Sequence, residues 1–519
     1  MRALLLACAL LLAAPAWAQN TVRWGNNGEI TTMDPHGAFS TANAAVLGNI
    51  YEPLVRHSRD LKFEPALATG WQVLAPDHYR FTIRRGVRFH DGAPLTVDDV
   101  VASLRRAATP GSPYNSVTHM FREVVRVDDD TVDLLLKGPY PVLINDVAGI
   151  SILSEPWMRR NDALLPADPA HGRGGYTTLN ANGTGPFRLV SREPDVQTVL
   201  ERNPAWWDRA THNVDRIVYR PIPNDSTRIS GLLSGELDLV TPLPLQDVDR
   251  IRQNPALKVL EAQDLRVAFL GFNVAPDHDT GNPGVNPLSV LKVRQAMVMA
   301  LDIQAITRTV MRGLTQPIHS LIAPEIGGYE PAQAVNRAPF DAEGARRLLA
   351  EAGYPQGFNI RLECPNDRFV NGERVCQAAA SMWARIGVKV NFQSMRYPAY
   401  MQRFINNRSD IFLIGWANTP QLDGFSMLNN VFRTRDQQSG SWNAGRYTDP
   451  AFDALAARIA VEMDPARRTA MITEAFALER AHMWSVPLYR EPMLLAMRAN
   501  LEMPAFADGR VRFWYAHLR

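Results

Sequence analysis

The chain has 519 residues, enough for more than one large core, and division into two or three lobes is expected. Its 55 basic and 53 acidic residues leave a formal charge of +2, interspersed along the sequence, which argues against nucleic acid or an anionic membrane surface as the main partner. No repeat, low-complexity tract or heptad array is present, which disfavours a structural or adhesive protein.

The first residues read as an export signal. Arg2 is a minimal basic region, Ala3 to Ala14 is apolar, and Ala16-Trp17-Ala18 offers a small-x-small cleavage site. Cleavage after Ala18 leaves a periplasmic chain beginning at Gln19, with a formal charge of +1 because Arg2 is the only charged residue removed. Leu5-Leu6-Ala7-Cys8 is a competing lipid-attachment motif. It is disfavoured because Cys8 interrupts the apolar run and would strand Leu10, Leu11 and Leu12 beyond the cut.

Thr21 to Trp24 is expected as a first strand, followed by a loop with Phe39 and Ser40. Phe81 and Ile83 belong to a strand that turns at Gly86 and again at His90-Asp91-Gly92. Thr96 then caps a helix, with Asp99 three residues on and Val97, Val100, Val101 and Leu104 on one face. Tyr114 falls in a loop over Thr109 to Thr118, and Val124 to Val127 with Thr131 to Leu136 form a hairpin. The acids at its tip, Asp128 to Asp130, read as a solvated turn rather than a cation site. Helices are expected over Val290 to Leu301, Ile303 to Arg312, Ala342 to Ala352 and Arg374 to Ile386, with Asp302 and Asp341 at N-caps. Strands Val388 to Phe392 and Ile411 to Gly415 complete an α/β alternation.

The mature chain keeps two cysteines, Cys364 at the end of a strand and Cys376 early on the next helix. In an oxidising compartment a disulfide is expected, two separate buried thiols being the alternative. No phosphate-binding loop, nucleophile elbow or His-Glu-x-x-His motif occurs, and the eleven histidines are scattered. A catalytic site, a resident metal and a cofactor are therefore not expected, with an exported hydrolase kept as the enzyme alternative.

The run IRRGVRFHDGAPLTVDDVVASLRR, Ile83 to Arg106, resembles the signature segment of the peptide/nickel-type (family 5) extracytoplasmic solute-binding proteins of ATP-binding-cassette importers. YEPLVRH from Tyr51, NGTGPFRL from Asn182, FNV from Phe272 and LKVRQAMVMALD from Leu291 match the same family in order. The resemblance implies a two-lobed periplasmic-binding-protein type II-like α/β fold with an extra subdomain in the first lobe. Residues 19–273 would form lobe I, with the subdomain at about 54–183, and 274–489 lobe II, with 490–519 returning to lobe I. The crossings would fall near Phe272-Asn273 and between Pro487 and Pro492, and the signature segment would be structural.

The resemblance also marks binding residues. Cys364-Pro365-Asn366-Asp367-Arg368-Phe369 is similar to the family loop that offers an arginine to a ligand carboxylate, an interlobe ion pair being the alternative for Arg368. Ile414-Gly415-Trp416-Ala417-Asn418 ends a buried strand in a polar loop, where α/β proteins hold ligands, so Trp416 and Asn418 are expected at the cleft. In peptide-binding relatives this loop carries an acid for the ligand's ammonium group. Here Asp423 is the only acid, and it either meets the ligand or caps a helix beginning near Phe425. Tyr397, Tyr400, Phe39, Ser40 and Tyr114 are weaker aromatic and polar candidates. The function implied is capture of a peptide or peptide-like solute such as glutathione by a monomer that serves a membrane permease and its ATPase. Nickel chelates, haem, opines and oligosaccharides are the alternative solutes.

Overall fold

The structure, a computed structural model, describes residues 20–38, 40–168, 172–209, 211–331 and 339–519. The expected export signal and Phe39 lie outside the described residues. No helix among the described residues is long and apolar enough to cross a membrane.

A ten-stranded sheet runs through the molecule. Its centre is an antiparallel pair of long strands, Leu257–Phe272 and Ser485–Arg498. One half adds Leu239–Thr241, Thr21–Asn26, Arg216–Pro221, Gln197–Arg202 and Phe187–Glu193 in that order. The other half adds Ile411–Trp416, Asn359–Pro365 and Lys389–Met395. The architecture is the expected two-lobed α/β fold. Separate buried clusters centre on the two halves, with Trp24, Phe187 and Phe513 in one and Phe272, Leu362 and Trp383 in the other.

The long pair changes register between Gln263 and Val267, opposite Arg490 to Pro492. On one side of this break Leu257 to Gln263 pair with Arg498 to Pro492; on the other, Val267 to Phe272 pair with Trp416 to Ile411. Phe272, at the expected crossing, is fully buried and pairs with Ile411. The opposite strand changes register between Arg490 and Pro492 and again between Pro487 and Tyr489. Proline supplies no ladder N–H, so two prolines in one strand favour an interruption there.

The extra subdomain is a four-stranded antiparallel sheet, ordered Ala68–Ala75, His78–Ile83, Thr131–Leu136 and Phe121–Arg126, against helix Val97–Ala107. Thr96 and Asp99 close the capping box: Asp99 N donates to Thr96 Oγ1 at 3.3 Å and Thr96 N donates to Asp99 Oδ2 at 2.8 Å. Val97, Val100, Val101 and Leu104 are buried in a core reaching from Leu54 to Ile152. The same helix anchors the loop after the first strand. Arg106 Nη1 donates to Asp34 Oδ1 at 2.8 Å in a pair almost wholly removed from solvent. Asp128 to Asp130 sit at a solvated tip, Asp129 bonded to Arg126 and Asp130 to Arg85.

The helix expected over Ile303 to Arg312 is shorter, Ile303–Ala305, and continues as a wider π-type turn, Ile306–Val310, across a β-branched run. Cys364 and Cys376 are joined in a disulfide with Cα atoms 6.6 Å apart, tying strand Asn359–Pro365 to helix Gly372–Ala384.

Candidate functional site

A cavity of about 310 Å³ opens where the long strands change register. The break contributes Asp264 and Arg266, the facing strand Glu491, the loop after Cys364 Arg368, and the C-terminal return Arg510. Trp24 closes one wall from the first strand. Charged side chains here are costly unless partnered, so their partners are informative.

Glu491 is 6% exposed. Val370 N donates to its Oε2 at 3.1 Å, while Oε1 is buried with no hydrogen-bond partner among the described residues. Burial pushes its pKa up to about 7, against the Val370 N–H and the charges of Arg266 and Arg368. The Arg266 stem packs against Gly415, where an added Cβ would stand 2.7 Å from its Cδ; its Nε is buried and unpartnered among the described residues. Arg368 sits over the rings of Phe369 and Tyr397, at 5.6 and 5.7 Å, and hydrogen-bonds Tyr397. Burial and the neighbouring Arg266 lower its pKa. Among the described residues no ion pair joins Arg266 or Arg368 to a carboxylate. Arg510 is more nearly neutralised, 3.9 Å from Asp508.

A second cavity of about 180 Å³ shares Arg510 with the first. Ser40, His57 and Tyr114 border it on one side, and Pro420 and Leu422 on the other. Ser40 also caps helix Thr41–Leu47, accepting from Asn43 N at 3.3 Å. Tyr114 stands 5.4 Å from His36, ring to ring, and burial raises its pKa to about 12. The loop carrying Pro420 touches the extra subdomain: Asn145 donates to Gln421 O, and Gln421 Nε2 donates to Asp146 Oδ1 at 2.9 Å.

The expected residues divide among these places. Arg368 enters the first cavity, and Ser40 and Tyr114 the second. Tyr397 lies beside Arg368, its N–H donating to Asp367 Oδ1 at 2.7 Å. Tyr400 is structural, its hydroxyl donating to Leu413 O at 2.6 Å in the core. Trp416 borders neither cavity; it packs edge-to-face on Trp442 at 5.6 Å, with its indole N–H buried and unpartnered. Asn418 is 1% exposed, with positive φ and both side-chain polar atoms unpartnered. Asp423 accepts from Arg468 at 2.9 and 3.0 Å and from Phe425 N at 2.9 Å, so its carboxylate is occupied within the protein. Phe39 lies outside the described residues. Sequence reading missed Arg266, Glu491 and Arg510. The first two do carry a signal: Arg266 is the one charged residue in LRVAFLGF, and Glu491 stands with Arg490 between the apolar runs SVPLY and PMLLAM.

The chain matches the family model described as bacterial extracellular solute-binding proteins, family 5 middle, over residues 62–439. It is 28% identical over 501 residues to the glutathione-binding protein GsiB of Salmonella choleraesuis (strain SC-B67), covering 95% of this chain and 93% of that protein. The structure of HbpA2 from Haemophilus parasuis superposes with a TM-score of 0.81 at 25% identity, covering 96% of this chain and all of that one. A dipeptide-binding protein from Pseudoalteromonas sp. SM9913, in complex with Met-Leu, gives 0.76 at 23% identity, covering 96% and 100%.

Proposed function

We propose, from the premise that the chain belongs to family 5 of the bacterial extracellular solute-binding proteins, that its ligand is a peptide-like solute bearing at least one carboxylate. A binding protein of this family delivers its solute to an ATP-binding-cassette importer. The observation that carries the ligand class is Arg368, a guanidinium in the cavity at the register break with no carboxylate paired to it among the described residues. A guanidinium fork suits a carboxylate through two parallel hydrogen bonds, and the relatives that bind glutathione support a peptide-like solute. Ser40 and Tyr114 extend the site toward Arg510, and the Asn418 backbone carbonyl accepts from Leu422 N at 2.7 Å in the loop that carries Pro420.

In this reading the register break at Gln263–Val267 and Arg490–Pro492 is the hinge, and the halves close over the solute. The mature chain begins at Gln19 without lipid, acts as a periplasmic monomer, and docks on an inner-membrane permease with its ATPase subunits. It turns nothing over. Mass spectrometry of solute extracted from the periplasmic protein tests the ligand class; a solute with no carboxylate would overturn it. Thermal-shift titration with glutathione, with product monitored, separates binder from hydrolase.

A further inference from the structure

The cavity at the register break holds more charge than one carboxylate clamp requires. Three guanidiniums, Arg266, Arg368 and Arg510, face two carboxylates, Asp264 and Glu491. Asp264 Oδ1 is engaged, accepting from Arg266 N at 2.8 Å within the turn. Glu491, which lines the cavity, is different: one oxygen is held by Val370 N–H, and the other is buried with no donor among the described residues. A buried carboxylate oxygen left without a donor is costly, and two guanidiniums nearby do not reach it as ion pairs. The oxygen and the two arginines form a ready set of one acceptor and two anion-binding forks.

We infer that Glu491 Oε1 receives the cationic amino group of the solute while Arg266 and Arg368 each receive an anionic group, making the preferred ligand a zwitterion with one more negative than positive charge. This rests on the peptide-like reading above and deepens it. Glu491 takes over the ammonium role for which Asp423 is the family-based candidate, because Arg468 and Phe425 N already occupy the Asp423 carboxylate. Its neighbours are the charges of Arg266, Arg368 and Asp264 and the N–H of Val370. With its pKa near 7, Glu491 must lose a proton to pair with an ammonium group, so binding tightens as pH rises through neutrality. The nearest histidine of the adjoining cavity, His57, is held down to about 4 by burial and does not titrate in this range.

Calorimetric titration of the mature protein with glutathione (one ammonium, two carboxylates), with glutathione acetylated on its amine, and with Met-Leu decides the matter. Wild type should bind glutathione roughly tenfold to a hundredfold more tightly than the acetylated form, the scale of a hydrogen bond to a charged group. It should also prefer glutathione to Met-Leu. Glu491→Gln should bind free and acetylated glutathione alike, at the weaker level. Wild-type affinity should rise between about pH 6 and about pH 8 and that of Glu491→Gln should not. Equal wild-type affinity for free and acetylated glutathione would overturn the role of Glu491, with no variant needed. Tighter binding of Met-Leu would overturn the second anion site at Arg266. Failure of wild type to bind either peptide would overturn the peptide reading itself, and this inference with it.

Discussion

Gln421 and Asp146 are hydrogen-bonded at 2.9 Å although 275 residues separate them, so a loop following strand Ile411–Trp416 meets helix Leu143–Val147 of the extra subdomain. Tyr140 OH donates to the other oxygen of Asp146 at 2.5 Å, which holds the carboxylate in place. Burial pushes the Asp146 pKa up to about 8 against those two hydrogen bonds. The contact lies at the rim of the smaller cavity and, on the hinge proposed above, holds only while the two halves are close.

Gln421→Ala should therefore favour separation of the halves. A net hydrogen bond of about 1 kcal/mol corresponds to roughly fivefold weaker binding of glutathione, with little change in thermal stability. Titration calorimetry beside small-angle scattering of the liganded protein checks both parts. Unchanged affinity and an unchanged radius of gyration would show that the contact does not contribute to closure.

The Asp34–Arg106 pair ties the signature helix to the loop bearing Ser40, and it is almost wholly buried. Burial alone would raise the Asp34 pKa, but the Arg106 hydrogen bonds and charge hold it down to about 2. A depressed carboxylate stabilises the fold above its unfolded value, and that contribution is lost as pH falls from about 4 through 2. Arg106→Ala leaves a buried carboxylate without its partner and should destabilise by about 3–5 kcal/mol. Denaturant titration at neutral pH measures it.

Glu479 shows the opposite sign. Its Oε1 accepts from Ser485 N at 3.1 Å and Ser485 Oγ at 2.7 Å, yet burial pushes its pKa up to about 7. The folded state then holds a proton that the unfolded state releases above about 4.5. Stability contributed by this group falls as pH rises from there to about 7. Glu479→Gln keeps the acceptor and removes the titration, so its melting temperature should fall less than wild type's between about pH 5 and about pH 8. Parallel melting curves for the two proteins would reveal the flattening; identical slopes would contradict it.

The disulfide closes a loop spanning 12 positions, which holds Arg368 between a strand end and a helix start. Replacing Cys364 and Cys376 together by serine should cost about 3 kcal/mol of stability, the entropy of a loop of this size. Binding should weaken as well, since the arginine loop must then be ordered by the ligand. Urea denaturation and calorimetry on the double variant separate the two effects.

Local signals carried much of the fold. Thr96 with Asp99, the strand ending at Cys364 and the helix carrying Cys376 are written in short spacings, and each is found close to its expected place. The register break was not legible, because an interruption near Asp264 depends on which residues of the partner strand face it. The site was legible only in part for the same reason. Arg368 stands in a family-like loop, but Arg266 and Glu491 meet only when two strands far apart in sequence are paired. For Asp423 the sequence left ligand contact and helix capping open, and its pairing with Arg468, 45 positions away, is not written locally.

Arg368 is the residue on which the ligand class depends most directly. It lies against the rings of Phe369 and Tyr397, hydrogen-bonds Tyr397, and has no carboxylate as an ion-pair partner among the described residues. Removing it leaves no buried acid without its partner, so Arg368→Ala should keep the unliganded melting temperature near that of wild type. Binding of glutathione should weaken by about 1.5–3 kcal/mol, the value of a hydrogen bond to a charged group. Arg368→Lys should recover only part of that loss, because an ammonium group cannot reproduce a two-pronged contact with a carboxylate. A lysine variant equal to wild type would reduce Arg368 to a point charge. An alanine variant with undiminished affinity would remove it from the site and leave Arg266 as the principal anion-binding group of the cavity.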